Sequence, residues 1–211
     1  VFGIHHYFLF VIAGILLIVT PGSDTMYIIA RSVAQGRRAG IWSTMGIAAG
    51  TLIHTLLAAL GLSFLLAKSL VLFTVIKMIG VAYLIYLGIT MIVSKSSAIA
   101  PDSGSVELMS TRKIFVQGMI TNITNPKVAL FFIAFLPQFV DNQAHSPLPF
   151  AILGATFIFT GMLWSSLLSY LAAFATGKLR RNLKIGLWLN RITGGVFILM
   201  GANLFRAKIS N

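Results

Sequence analysis

The sequence predicts an all-α membrane protein with six transmembrane segments, arranged as two inverted three-helix repeats, with segments one and four broken in mid-membrane. Three observations carry this expectation. The 211-residue chain is 57% hydrophobic and only 9% charged, whereas a soluble domain covers its surface with about 25% charged residues. Apolar runs long enough to cross a hydrocarbon core of about 30 Å recur along its length. Two of these runs are interrupted at matching places by polar, proline-containing motifs, "TPGSDT" and "NITNPK".

The apolar segments span 5–33, 42–67, 69–93, 113–140, 147–174 and 185–206. Between them lie "RSVAQGRRAG", a short joint around Lys68, "SKSSAIAPDSGSVELMSTRK", "DNQAHSPLP" and "GKLRRNLK". The chain reads as one transporter domain, with repeat one at 1–93, a loop at 94–112 and repeat two at 113–211. The composition of that loop, dominated by Ser, Gly and Pro, predicts flexibility. No cleavable signal is expected, since the first run has neither a basic flank before it nor a small-residue cleavage site after it. Residue 1 is valine, so the initiator end is expected to lie beyond it. There is no cysteine, hence no disulfide and no thiolate metal site; no metal and no cofactor is expected.

A net charge of +12 raises the question of a nucleic-acid partner. The basic residues are instead dispersed into the joints between apolar runs, which argues against one and serves topology. Loops one, three and five hold Arg31, Arg37, Arg38, Lys95, Arg112, Lys113, Lys178, Arg180, Arg181, Lys184 and, at the helix entry, Arg191. The opposite side holds Lys68, Arg206 and Lys208. The excess of Lys and Arg marks the cytoplasmic side, so the odd loops are expected inside and both termini outside.

Segment one runs for about 29 residues, roughly 44 Å of straight helix at 1.5 Å per residue and more than the bilayer core needs. Its centre carries Pro21, Gly22 and Asp24; the centre of segment four carries Asn122, Asn125, Pro126 and Lys127. The breaks align. Phe10–Val11 and Phe115–Val116 stand at the same distance before their prolines, and "GVAYLIYLG" in segment three is echoed by "GGVFILMG" in segment six. Halves of three segments each must be inverted relative to one another. Interrupted helices at corresponding places in such halves point to a binding site near the bilayer midplane.

The stretches "TPGSDTMYIIARSVAQGRRAG", "GTLIHTLLAALGLS", "IKMIGVAYLIYLG" and "ITNPKVALFFIAFLPQFV" resemble the LysE/RhtB family of bacterial amino-acid exporters. "PGSD" stands where Pro-Gly-Pro is more frequent in such proteins. The resemblance covers most of the chain. It implies a secondary transporter in the bacterial inner membrane that exports amino acids or their derivatives from the cytoplasm, driven by proton antiport.

Proline removes a backbone donor and clashes with the preceding turn, and the groups it frees are tolerated at membrane depth only against protein or a wet cavity. Pro126 suits the first position of a new helix with Asn125 as its cap, and Pro21 or Ser23–Asp24 begins the other half-helix. Half-helix N-termini attract a substrate carboxylate, and Lys127 would add to that attraction. Asp24 reads as a site for an ammonium group or a coupling proton, or else as an N-cap. Lys127 reads as a carboxylate ligand, or else as the partner of Asp24. Gln117, Thr121, Thr124 and Asn125 share one face of segment four, as a cavity wall or as interhelical contacts. Gly46, Gly50, His54 and Ala58 form a small-residue packing face, on which His54 is either a packing residue or a proton carrier. The expected partners are thus a small amino-acid-like substrate, protons and the lipid bilayer, with a homodimer left open. Two rival classes stand beside export: a membrane enzyme using Asp24 and His54, and a structural or sensory membrane protein. Against the first, Ser23 lacks a Gly-x-Ser-x-Gly elbow; against the second, such a protein needs no pair of broken helices.

Overall fold

The computed structural model describes residues 3–93, 108–141 and 146–174, together with positions 191, 192, 194, 195, 198, 199 and 202. Most of segment six, most of the third loop and the fifth loop therefore lie outside the described residues. Among the described residues every named element is helical, and an isolated antiparallel bridge joins Ile4 to Val140.

Helix α1, Tyr7–Val19, stops at Thr20, whose backbone is extended (φ −64°, ψ 125°). The residue before a proline is pushed out of the α region, so Pro21 sets this stop. Helix α2 restarts at Ser23 and continues to Leu57. Segments one and two are therefore joined without an open loop; only Gly36 departs from helical geometry, at φ 77°, ψ −177°. That region of backbone space is essentially closed to residues with a Cβ. A π-helical turn, Ala58–Leu62, leads into α3, Ser63–Lys68, and α4 runs Leu70–Val93. In segment four, α5 (Thr111–Ile123) is followed by α6 (Pro126–Leu130), a π-helical turn (Phe131–Phe135) and a 3₁₀ turn (Leu136–Phe139). Helix α7 covers Leu148–Phe174.

Among the described residues two stretches are long and apolar enough to cross a membrane, Ser23–Leu65 and Leu148–Ala173. The pair Thr111–Ile123 and Pro126–Phe139, bent by 50°, adds a third if it counts as one span. The polarity pattern agrees with lipid contact. Phe8, Val71 and Phe159 are more than half exposed, whereas Ser43, Thr44, Thr51, Asn122 and Ser169 are buried.

The two broken segments lie side by side along their length. Residues 3–5 bond the backbone at 139–141, Lys127 reaches Leu17 and Thr20, Asp24 meets Asn122, Arg31 meets Gln117 and Gln35 meets Met109. Partner numbers fall along segment four as they rise along segment one, so the segments are antiparallel. Helix α2 folds back over α5 with its small residues in the seam. A Cβ on Gly46 would collide with the carbonyl oxygen of Phe115, and one on Gly50 would come within 2.8 Å of the Met119 carbonyl oxygen. On one side of the breaks sits an apolar core from α1, α7 and residues 128–140, in which Phe10, Phe131, Phe132, Phe135, Phe139 and Phe157 cluster. Ring centroids stand 4.7 Å apart for Phe131–Phe135 and 4.9 Å for Phe131–Phe157, within the range of favourable aromatic pairs.

Candidate functional site

The site lies where the two breaks face each other. At the second break Asn125 is extended, its Oδ1 accepts from the Lys127 backbone N–H at 3.1 Å, and Pro126 occupies the first helical turn. This is the cap read from the sequence. At the first break the N-cap is Gly22, with no side-chain cap, and Asp24 lies inside the first turn of α2. Asp24 is therefore not the N-cap.

Lys127 crosses from the second break to the first. Its Nζ donates to the carbonyl oxygens of Leu17 and Thr20, each at 3.0 Å. These belong to the last turn of α1, where carbonyls lack intrahelical partners and the helix dipole is negative. Gly22 makes room: a Cβ there would stand 3.0 Å from Lys127 Nζ and 3.4 Å from Cε. Gly22 is itself extended, so the requirement is space and not backbone conformation. An ammonium carries three N–H donors, and the two carbonyls use two of them.

Asp24 is held from the other side. Its Oδ2 accepts from Asn122 Nδ2 at 2.8 Å, while Oδ1 is buried and has no hydrogen-bonding partner. Asn122, nearly fully buried, is the hub: its Oδ1 accepts from the Thr51 hydroxyl at 3.2 Å, and its carbonyl oxygen meets His54 Nε2 at 3.2 Å. His54 also stacks on Phe132 with centroids 5.8 Å apart.

A cavity of about 50 Å³ opens between these groups. Its polar wall includes Asp24, Thr25, Thr44, Thr51, Asn122, Lys127 and Ser165, and its apolar wall includes Leu17, Ile47, Ala48, Val128, Phe157, Ile158 and Met162. At roughly 10–15 Å³ per water it holds a few water molecules. Of the residues singled out from the sequence, Asp24, Asn122 and Lys127 line it. Pro21, Gly22, Asn125 and Pro126 shape the breaks without lining it, and His54 stands one hydrogen bond behind Asn122. Gln117, Thr121 and Thr124 lie on another face of α5. The Thr121 hydroxyl bonds the Gln117 carbonyl, that of Thr124 bonds the Ile120 carbonyl, and Gln117 Oε1 accepts from Arg31. Thr44, Thr51 and Ser165 were not singled out. Thr44 and Thr51 stand seven apart on α2, nearly two helical turns, which is the one signal in sequence that pairs them on a face. Arg31, read as a topology charge, is buried, with its guanidinium over the Tyr27 ring. Among the described residues no group of His, Cys, Asp and Glu is arranged to hold a metal ion.

Comparison with known proteins agrees with a membrane protein. The chain is 34% identical over 193 residues to the uncharacterized membrane protein YrhP of Bacillus subtilis (strain 168), covering 88% of this chain and 91% of that protein. It is 28% identical over 204 residues to the leucine efflux protein of Salmonella choleraesuis (strain SC-B67), covering 96% of each. No solved structure matches. The family profile described as LysE type translocator matches residues 15–208 and so takes in both breaks and every residue of the cavity, and the chain belongs to that family.

Proposed function

We propose that this protein exports a small, aliphatic amino acid or derivative from the cytoplasm across the bacterial inner membrane by proton antiport. The observation that carries this is the cavity between the breaks. It offers one buried carboxylate oxygen with no partner, Asp24 Oδ1, and a lysine ammonium, both against an aliphatic wall. Asp24 Oδ1 receives the substrate ammonium or the coupling proton. The third donor of Lys127 and the free N–H groups at the start of α2 receive the carboxylate. Ile47, Ala48, Phe157, Ile158 and Met162 meet the side chain. The likeness to a leucine efflux protein supports an aliphatic substrate. Entry of such a molecule requires the cavity to widen, as an exporter passing between inward and outward states must.

In this reading Asp24 and His54 are the proton-coupling residues, and Asn122 holds both in place. The antiparallel course of segments one and four supports two inverted repeats, 1–93 and 113–211, in a single domain; six spans with both termini outside rest on the apolar runs and the loop charges. The enzyme reading loses ground because Asp24 and His54 are each bonded to Asn122 rather than to one another, and Ser23 is exposed.

Purified protein in lipid vesicles, loaded with labelled leucine under an imposed pH gradient, tests the function. Gradient-dependent movement of label supports it; label that never moves, with or without a gradient, refutes it. Topology has its own test, made clean by the absence of native cysteine. Single cysteines placed in "SKSSAIAPDSGS" are expected to resist an impermeant thiol reagent added outside intact cells, and rapid labelling would reverse the orientation.

A further inference from the structure

We infer that the carbonyl end of α1 is a binding site for a primary ammonium ion, and that the Lys127 side chain is its tethered, resident occupant. The carbonyl oxygens of Leu17 and Thr20 come from residues three apart, yet both converge on one nitrogen at 3.0 Å. They converge because Pro21 turns Thr20 out of the helix and aims its carbonyl at the point that the last turn of α1 already faces. The absent side chain of Gly22 leaves that point open. Asp24, with its free oxygen, lines the same cavity and adds negative charge beside it.

Elsewhere in membrane transport, unwound carbonyls and half-helix C-termini of broken helices hold free coupling cations. Here the same acceptors are filled by a side chain reaching over from the opposite broken segment. The protein thereby carries its own cation to the break, and no inorganic ion is needed there. With the side chain removed, the acceptors face the cavity and take a small free ammonium of the R–NH₃⁺ class. The inference uses contacts made without substrate, so it stands or falls separately from amino-acid export.

The test is a cation titration of Lys127→Ala in lipid nanodiscs, read by the tryptophan-fluorescence melting midpoint at constant ionic strength, with no substrate present. A ligand that binds only the folded state raises the midpoint in a saturable way. n-Propylammonium chloride is expected to raise that of Lys127→Ala by about 3–6 °C and to leave the wild type unchanged. Tetraethylammonium, which has no N–H, is expected to do nothing. Lys127→Met, whose stem fills the approach, is expected not to respond to the amine. A wild-type midpoint for Lys127→Ala in amine-free buffer overturns the inference, as does an equal response to the two ammonium salts or no response to either. Rescue by sodium and not by the amine overturns the ammonium assignment. Should Lys127→Ala fold in no buffer, Lys127→Arg and Lys127→Met decide. Folded Arg variant without folded Met variant retains the cation requirement, and any other pattern overturns it.

Discussion

The two breaks begin from the same local chemistry and end differently. In each, a residue before proline is extended: Thr20 before Pro21 and Asn125 before Pro126. The second break is satisfied from within, because Asn125 caps the new helix and Pro126 needs no donor there. The first break has a glycine for a cap and depends on Lys127 from the other segment to occupy its carbonyls. Aligning the prolines puts Gly22 opposite Lys127, and it is at Gly22 that a Cβ would crowd the Lys127 ammonium. One break thus lacks a side chain where the other carries a long one, and the two breaks interlock. Damage to the second break should therefore spread to the first, and the reverse should hold only weakly.

The largest expected effect is that of Lys127→Met, which strips two carbonyls of their donor at a cost of about 1–3 kcal/mol each and removes the proposed carboxylate ligand. Leucine export in vesicles should fall more than tenfold, below detection, with the protein still inserted. Lys127→Arg should also transport poorly, since a planar fork does not replace a compact ammonium. Wild-type export by either would dissolve the asymmetry.

Asp24→Asn should come next, with proton-driven uphill export lost. Substrate exchange across the membrane then sorts the role of Asp24. Retained exchange assigns it to the proton, and lost exchange assigns it to the substrate ammonium. Unaltered uphill export would move the site away from the first break.

A smaller pair sharpens the contrast in capping. Asn125→Ala removes a cap worth about 1 kcal/mol and should lower the melting midpoint by about 2–4 °C. Gly22→Ser supplies a side chain that ordinarily caps better than glycine, yet its Cβ would crowd Lys127 Nζ, so it should lower the midpoint too. A rise with Gly22→Ser would mean that the first break is limited by its own cap after all. The smallest effect belongs to Thr51→Val. It removes one hydrogen bond to Asn122, a class of contact worth about 0.6 kcal/mol in membranes, and should slow export by about threefold with no change in stability beyond 1–2 °C.

What could be read from the sequence is what covalent structure imposes locally. Pro21 and Pro126 place both breaks, Asn125 is legible as a cap because Asn-Pro-Lys carries its own geometry, and Gly46, Gly50, His54 and Ala58 announce a close-packing face. The polar stripe of Gln117, Thr121 and Thr124 was legible as a stripe but not as to which way it faces. The inward face of α5 is set by Gly118 and Asn122 lying against α2, and a threonine can satisfy itself on its own helix. Lys127 illustrates the same limit. Its partners are two backbone carbonyls of a segment more than a hundred residues away, and a carbonyl has no letter in the sequence. The joint at Gly36 read as a loop because it is basic and contains glycine, yet the helices on both sides persist to that single residue.

Gly36 also bears on how a mutational map of this protein would be interpreted. A Cβ added there meets nothing within 4 Å, so no steric neighbour among the described residues crowds the position. Its intolerance would come wholly from the backbone torsion, a region where a residue with a Cβ pays about 1–3 kcal/mol. Replacement by alanine, the mildest probe in common use, should register as severely as replacement by leucine. Such flat sensitivity to side-chain size would distinguish a conformational hinge from a contact residue in survey data alone, and would keep Gly36 from being mistaken for part of the transport path.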